Sequence, residues 1–185
     1  AEYIGRTDNL KWSGTQLKIE GYGELKGYPM ATENSVQHKL ILVNVNDSNK
    51  QYSYSLTPTY SSWLANDAHN LGGNYGYGWY TGSINLSNLP NGTYMMYHEM
   101  TVSGYTQREL LNHFDNVPSE LYIGDDNLSF ERYQTDYLQL TKKNETQYVG
   151  RTDKVYWSGT KLKIEGYGEL KGYPMATENS VQHKL

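Results

Sequence analysis

The stretch LKIEGYGELKGYPMATENSVQHKL, at Leu17–Leu40, occurs a second time, letter for letter, at Leu162–Leu185. Aligning Tyr3 with Tyr148 extends the match to 38 positions 145 residues apart, of which only five differ. The differing pairs are Ile4/Val149, Asn9/Lys154, Leu10/Val155, Lys11/Tyr156 and Gln16/Lys161. A period of this length is too long for a solenoid or propeller repeat and has the size of a whole domain. We therefore expect one complete unit over residues 1–145 and the truncated first third of a second unit over residues 146–185.

The alternative is a short module that stands on both sides of an unrelated middle section. The first copy continues without a break through HKLILVNVN, whereas the second stops halfway along that run, which favours the whole-domain interpretation. A fragment of two or three strands cannot bury its apolar face alone. We expect residues 146–185 to pack on a sheet edge or to be exchanged with another chain in a strand-swapped self-association.

Alternation of apolar and polar residues dominates the section between the two copies. It occurs in QYSYSLT (51–57), GSINL (82–86) and TYMMYHEMTV (93–102), while KLILVNV (39–45) is apolar on both faces, as a central strand should be. The turn sequence Pro90-Asn91-Gly92 predicts a hairpin between its flanking strands. Helical spacing appears only weakly, at 61–71 and 106–114. The sequence predicts an all-β fold, an antiparallel β-sandwich of immunoglobulin-like or carbohydrate-binding-module-like type with one or two short helical turns.

Composition excludes several classes of function. The chain has no cysteine, so neither a disulfide nor a thiolate metal site is possible. A formal net charge of −4, with both signs mixed, is not the footprint of a nucleic-acid binder. No run approaches the roughly 20 apolar residues that would insert into a membrane. The aromatic residues are unusual, with 19 Tyr and 4 Trp against 2 Phe, and tyrosine suits half-exposed sheet surfaces and wet binding sites.

Enzyme signatures are scarce. No nucleophile elbow, zinc-protease, phosphate-loop or dinucleotide motif is present, and the sequence suggests no catalytic residue, metal ligand or cofactor. The histidines do not cluster: His98 is expected in the core, and His69 and His113 in solvent. Acidic residues such as Glu20 and Glu24 could form a glycosidase-like carboxylate pair. This leaves a polysaccharide-cleaving enzyme as a distant alternative.

The best candidate site is NLGGNYGYGWYTG, at Asn70–Gly82, together with the loop before it. Glycine-rich backbone that carries rigid aromatic rings suits stacking on sugar rings, and nearby amide and carboxylate groups suit their hydroxyls. The alternative is that the tryptophans only close the end of the core. The candidate ligand-binding residues are Trp63, Asp67, Asn70, Asn74, Tyr75, Tyr77, Trp79 and Tyr80.

The section over about Trp12–Val102 resembles β-sandwich modules of Gram-positive bacteria. The resemblance lies in three motifs that follow one another in this order: WSGTxLKIEGYG, HKLILV and GWYTGSINLSNLPNGTY. Such modules occur as tandem repeats in surface proteins and beside cell-wall glycopolymer enzymes. The resemblance implies a non-enzymatic extracellular repeat at the cell surface or cell wall. Its expected partner is a cell-wall or host glycan, with a host surface protein as a further possibility. A spacer repeat in the stalk of an adhesin is the alternative.

Overall fold

The computed structural model describes residues 1–145, 147–171, 173 and 175–185, and the fold is all-β, as predicted. In this part of the chain, one short α-helix, α1 (Ser62–Ala65), and three 3-10 turns accompany twelve strands. The strands are β1 (Tyr3–Ser13), β2 (Gln16–Leu25), β3 (Val36–Asn44), β4 (Gln51–Thr59), β5 (Trp79–Asn85), β6 (Gly92–Val102), β7 (Tyr105–Leu110), β8 (Leu121–Ile123), β9 (Asp126–Tyr133), β10 (Tyr137–Asn144), β11 (Tyr148–Ser158) and β12 (Lys161–Leu170). No helix among the described residues is long and apolar enough to cross a membrane.

Ten strands form one continuous antiparallel sheet. The order is β1-β2-β5-β4-β3-β6-β10-β9-β8, and β7 pairs with β6 beside this path. The sheet curls on itself, so that inward side chains of β2 and β5 share one core with those of β3 and β6. The first copy of the repeat is thus an integral part of the sheet, because β2 pairs with β5 from Gln16↔Asn85 to Tyr22↔Trp79.

Period-two alternation determines which side chains of β2 reach the core. Leu17, Ile19 and Leu25 point inward and are fully or almost fully buried. Gly21 lies between them because a Cβ there would overlap the backbone carbonyl oxygen of Arg6. The register between β1 and β2 shifts between Thr7 and Asn9, which is the signature of a β-bulge.

A chain of polar groups crosses the core between β1, β3 and β6. His38 Nδ1 lies 2.9 Å from His98 Nε2, and His38 Nε2 lies 2.8 Å from the Tyr77 carbonyl oxygen. Tyr3 Oη lies 2.8 Å from His98 Nδ1. Burial lowers the pKa of His38 to about 4 and places the pKa of His98 well below its ordinary value. The prediction of a packed core histidine at position 98 is confirmed.

Two local predictions are wrong. β5 and β6 flank Pro90-Asn91-Gly92 but do not pair, because β5 lies between β2 and β4 while β6 lies between β3 and β10. The connection therefore links distant parts of the sheet rather than closing a hairpin. Residues 106–114 are not helical, because β7 pairs with β6 there. The other predicted helical segment, 61–71, contains α1.

The second copy of the repeat forms a hairpin of its own. β11 pairs only with β12 among the described strands, in the register of β1 and β2 and with the same bulge. The described residues show no backbone pairing of this hairpin with the large sheet, although Lys171 lies 5.8 Å from the centroid of the Tyr122 ring on edge strand β8. Packing on a sheet edge and exchange with another chain both stay predictions. Inward side chains that are buried in the first copy are exposed here: Leu17 is 0% exposed, but its counterpart Leu162 is 47% exposed.

Candidate functional site

The outward face of β1, β2 and β5 places three rows of side chains beside one another. Arg6, Tyr22 and Trp79 share the first row by their strand register. The second row is Asn9, Glu20 and Thr81, and the third is Lys11, Lys18 and Ser83. We call this surface, formed by residues 6–13, 16–22 and 79–85, the outer face. The first and third rows are about 13 Å apart along β2, at roughly 3.3 Å per residue.

An aromatic cluster occupies the first row and is centred on Tyr22. The Tyr22 ring stacks with Trp79 at 6.0 Å and with His69 at 5.5 Å between centroids. Trp63, from α1, meets the Tyr22 ring edge-on at 5.4 Å. Trp63 is 47% exposed, whereas Tyr22 is 4% exposed. The cluster therefore presents Trp63 to solvent and uses Tyr22 as the support behind it.

Arg6 adds a positive charge to this aromatic surface. Its guanidinium lies 5.3 Å from the centroid of the Tyr22 ring, within the range of a cation–π contact. Arg6 Nε also donates to Asp8 Oδ1, a residue of the bulge. The hydrogen bond to Asp8 raises the pKa of Arg6 further above its ordinary value. The bulge thus holds a cation over the Tyr22 ring, which Trp63 also contacts.

A buried carboxylate anchors the loop that carries Trp63. Glu24 follows Tyr22 on β2, its side chain is fully buried, and its Oε1 lies 2.5 Å from His69 Nδ1. Burial raises the pKa of Glu24, and the hydrogen bond with His69 opposes that rise. Glu24 Oε2 has no hydrogen-bond partner among the described residues. The pair ties residues 62–78 to β2 and positions the tryptophan.

A groove of about 570 Å³ continues the outer face beyond the aromatic cluster. Lys11 and Lys18, which are paired across β1 and β2, stand on one side of it. Hydroxyl groups and one carboxylate supply most of the remaining lining, from Ser13, Glu20, Thr57, Thr81 and Ser83. We call it the lysine groove. Its cations and hydroxyls suit an anionic, hydroxyl-rich ligand better than an apolar one.

Glu20 joins the lysine groove to the aromatic cluster. Its Oε1 accepts a hydrogen bond from Trp79 Nε1 at 3.0 Å, and its Oε2 accepts one from Asn9 Nδ2 at 3.0 Å. Glu20 and Glu24 are therefore both engaged in holding neighbouring side chains. No three His, Asp or Glu side chains in the described ranges gather in an arrangement that could hold a metal ion.

The structure separates the predicted aromatic ligands into two groups. Trp63, Trp79 and Tyr77 keep some exposure, and Tyr77 contacts Tyr60 at 5.7 Å between centroids. Tyr75 and Tyr80 are buried at 0% and 1% exposure, so neither ring can stack on a ligand in this conformation. Tyr80 packs against His38 and His98, and its Oη bonds Thr7 Oγ1. Ligand binding by these residues stays a prediction, and we retain only the exposed rings.

The predicted polar ligands mostly build turns. Asp67 accepts hydrogen bonds from the backbone N–H groups of Leu71 and Gly72, which lower the pKa of its carboxyl. Asn74 Oδ1 accepts from the Gly76 N–H at 2.9 Å. Asn70 is exposed with a φ of 56°, a left-handed conformation that asparagine tolerates. The side-chain oxygens of Asp67 and Asn74 thus shape the loop.

Sequence reasoning missed the residues that support Trp63. The alternation of LKIEGYGEL already places Lys18, Glu20, Tyr22 and Glu24 on one face, but no local signal brings His69 to that face. The prediction that His69 and His113 face solvent is wrong. His69 is held against Glu24, and His113 is 2% exposed with Nδ1 at 2.9 Å from the Thr7 carbonyl oxygen.

Two larger concavities, each of about 730 Å³, lie against the C-terminal hairpin. The wall of the first includes the inward residues Leu162 and Ile164, and His183 of the tail lines both. The equivalent residues of the first copy, Leu17 and Ile19, are covered by the rest of the sheet. These concavities therefore reflect an uncovered core face, and we place the candidate site on the outer face.

Comparison with known proteins finds partial similarity to a teichoic acid polymerase and to one solved structure. No protein-family profile matches. Over 103 residues the chain is 30% identical to a teichoic acid poly(ribitol-phosphate) polymerase of Bacillus spizizenii. The match covers 52% of this chain and 16% of the length of that enzyme. The crystal structure of S. aureus TarS is similar over 82% of this chain and 27% of its own, with a TM-score of 0.48 and 7% identity.

The predicted non-enzymatic function is corrected by the first of these relatives. We expected an attachment or spacer repeat that is not an enzyme, whereas the sequence relative is a polymerase. The expected connection to the cell wall agrees with that relative. The error arose because the chain spans only a small part of the relative's length, so whole-enzyme motifs cannot be judged from it.

Proposed function

We propose that this chain is a domain of an enzyme that builds a cell-wall glycopolymer, and that its outer face holds the polymer chain. The proposed ligand is a polyol-phosphate polymer such as poly(ribitol phosphate), the polymer named for the Bacillus spizizenii relative. The domain would keep the anionic product close to the enzyme while it is extended. Weak contacts repeated along one chain raise the effective concentration of the polymer without any single strong site.

The observation that carries this proposal is the composition of the outer face. Trp63 offers an exposed apolar ring, the Arg6 guanidinium contacts the same Tyr22 ring as Trp63, and Lys11 and Lys18 stand two rows further along the sheet. Asn9, Glu20 and Thr81 form the row between them, and further hydroxyl groups line the groove beside the lysines. A polyol phosphate carries C–H surface, hydroxyls and regularly spaced anions, so each part of the face has a matching part of the ligand.

The direct test is binding of the purified chain to poly(ribitol phosphate), measured by calorimetry at low and physiological salt. We expect millimolar to micromolar affinity that weakens as salt screens the lysines. Trp63→Ala should reduce affinity about tenfold, because a stacking surface is lost. Lys18→Gln should reduce the affinity by a smaller factor, and the affinity of this variant should depend less on salt concentration.

Matched controls lie elsewhere on the surface. Tyr133→Ala removes a ring of similar exposure (43%) on β9, and Lys50→Gln removes an exposed lysine in the turn before β4. Neither should change affinity, and the neutral polymer dextran should bind more weakly than the phosphate polymer. The proposal would be contradicted if the unmodified chain did not bind the polymer. It would also be contradicted if the Trp63→Ala variant bound the polymer as tightly as the unmodified chain.

A further inference from the structure

The C-terminal hairpin repeats the part of the outer face that β1 and β2 form in the first copy. Arg151 lies 5.5 Å from the centroid of the Tyr167 ring, close to the 5.3 Å that separates Arg6 from Tyr22. Arg151 Nε also bonds Asp153, the counterpart of Asp8 in the repeated bulge. The stacked cation of the candidate site is therefore formed by the hairpin alone, without the loop that carries Trp63.

The differences between the two copies concentrate on this outer face. Strand register places four of the five differing positions outward, and only Leu10/Val155 lies on the inward side. The outward differences are Ile4/Val149, Asn9/Lys154, Lys11/Tyr156 and Gln16/Lys161. Three of them change polar or charged groups. The one inward difference, Leu10/Val155, preserves an aliphatic side chain, as a core position demands.

These changes make the second outer face more cationic. The first copy carries three outward cations, Arg6, Lys11 and Lys18, and the second carries four. The cations of the second copy are Arg151, Lys154, Lys161 and Lys163. The outward carboxylates are equal in number because Asp8, Glu20 and Glu24 recur as Asp153, Glu165 and Glu169. The second face therefore has one more positive charge.

The new residues also replace contacts that the first copy draws from β5. Glu20 is held by Asn9 and by Trp79 of β5. In the hairpin, Glu165 Oε2 lies 3.5 Å from Lys154 Nζ, and Glu165 Oε1 accepts from Tyr156 Oη at 3.4 Å. Tyr156 thus supplies an aromatic ring and a hydroxyl from within the hairpin. Lys161 and Lys163 remain on the exposed surface beside it.

We propose that the outer face of β11 and β12 is a second binding surface for the same polyol-phosphate polymer, with its affinity weighted toward the phosphate groups. This inference rests on the proposed function of the first outer face. Two faces of unequal charge on one chain would let one polymer molecule contact both, so that losing either weakens binding without abolishing it.

The test exchanges the three polar differences between the copies. The variant K154N/Y156K/K161Q gives the C-terminal hairpin the residues of the first copy, and N9K/K11Y/Q16K makes the reverse change in β1 and β2. Binding of each full chain to poly(ribitol phosphate) is measured across a salt series. We expect the first variant to bind about three- to tenfold more weakly with a shallower salt dependence, and the second to bind more tightly with a steeper one.

The outcomes separate this inference from the proposed function. If the unmodified chain binds and the first variant keeps the same affinity and salt dependence, the differences are drift at exposed positions and the phosphate-weighted second surface is refuted, while the first remains. If the unmodified chain does not bind the polymer, both proposals fail. Circular dichroism and the urea midpoint of each variant establish that the changes leave the fold intact.

Discussion

The buried histidine pair makes a quantitative prediction about stability and pH. His38 Nε2 faces the Tyr77 carbonyl oxygen, which can only accept, so this nitrogen must donate. His38 Nδ1 then accepts from His98 Nε2, and His98 Nδ1 accepts from Tyr3 Oη. With this assignment, both ring nitrogens of neutral His38 and of neutral His98 have a hydrogen-bond partner. A proton added to His38 Nδ1 would point at the N–H of His98, so the network opposes protonation, as burial does.

Acidification should therefore unfold the domain through these groups. The unfolded chain binds protons at a histidine pKa near 6.5, whereas His38 in the fold does so only at about 4. Between these values the unfolded state binds more protons, so stability falls as pH falls and levels off below the folded pKa. At 1.36 kcal/mol for each pH unit, His38 alone accounts for about 3 kcal/mol. His98, whose pKa is also lowered, acts in the same direction.

The assay is urea unfolding, followed by tryptophan fluorescence at several pH values between 7.5 and 4.5. We expect the unmodified chain to lose stability by about 1 to 3 kcal/mol per pH unit below pH 6.5. His38→Gln should be less stable at pH 7.5 and should have a clearly smaller slope. His183→Gln is the matched control, because His183 is the same repeat position but is exposed. Equal slopes for the His38 variant and the unmodified chain would refute the reasoning.

Two further predictions concern the strand that supports the site. Gly21→Ala should destabilise the domain by about 2 to 4 kcal/mol, because the new Cβ would overlap the Arg6 carbonyl oxygen and crowd Tyr80 Oη. Chemical denaturation measures this loss of stability. A loss below about 0.5 kcal/mol would contradict the prediction. His69→Ala leaves the buried Glu24 carboxylate without its partner, so the variant should lose more stability at pH 7.5 than at pH 4.5, where Glu24 becomes protonated. A pH-independent loss would show that His69 acts by packing alone.

The strands themselves were predictable because their signal is local. Alternation in QYSYSLT, GSINL and TYMMYHEMTV is seen again as β4, β5 and β6. The face-by-face composition of β2 was also readable from LKIEGYGEL. The pairing of the strands could not be predicted from the sequence, and the turn at Pro90-Asn91-Gly92 shows why. A turn signal predicts a change of direction, but the partner of each strand depends on residues far away in the chain.

The candidate site was predictable in part, because some of its residues stand close together in the sequence. The glycine-rich segment 70–82 pointed to Trp63 and Trp79, and both tryptophans lie in the aromatic cluster. Tyr75 and Tyr80 have the same local context but lie in the core. Their burial depends on the packing of β3 and β6 against β5, which no pattern within the segment records.

The sequence by itself determined the all-β class, the positions of several strands and the existence of two nearly identical segments, because side-chain alternation and repetition can be seen without knowing which strands pair. Only the tertiary structure decided which tyrosines are buried, that Glu24 meets His69, and that Arg6, Tyr22 and Lys18 share a surface with Trp63. Glu24 and His69 are 45 positions apart in the chain, and Tyr80 is 73 positions from Thr7, which its hydroxyl contacts. Identical hairpins can even have opposite environments, since Leu17 is buried and Leu162 is exposed. The physical reason is that burial depends on what packs against a strand as well as on the strand itself.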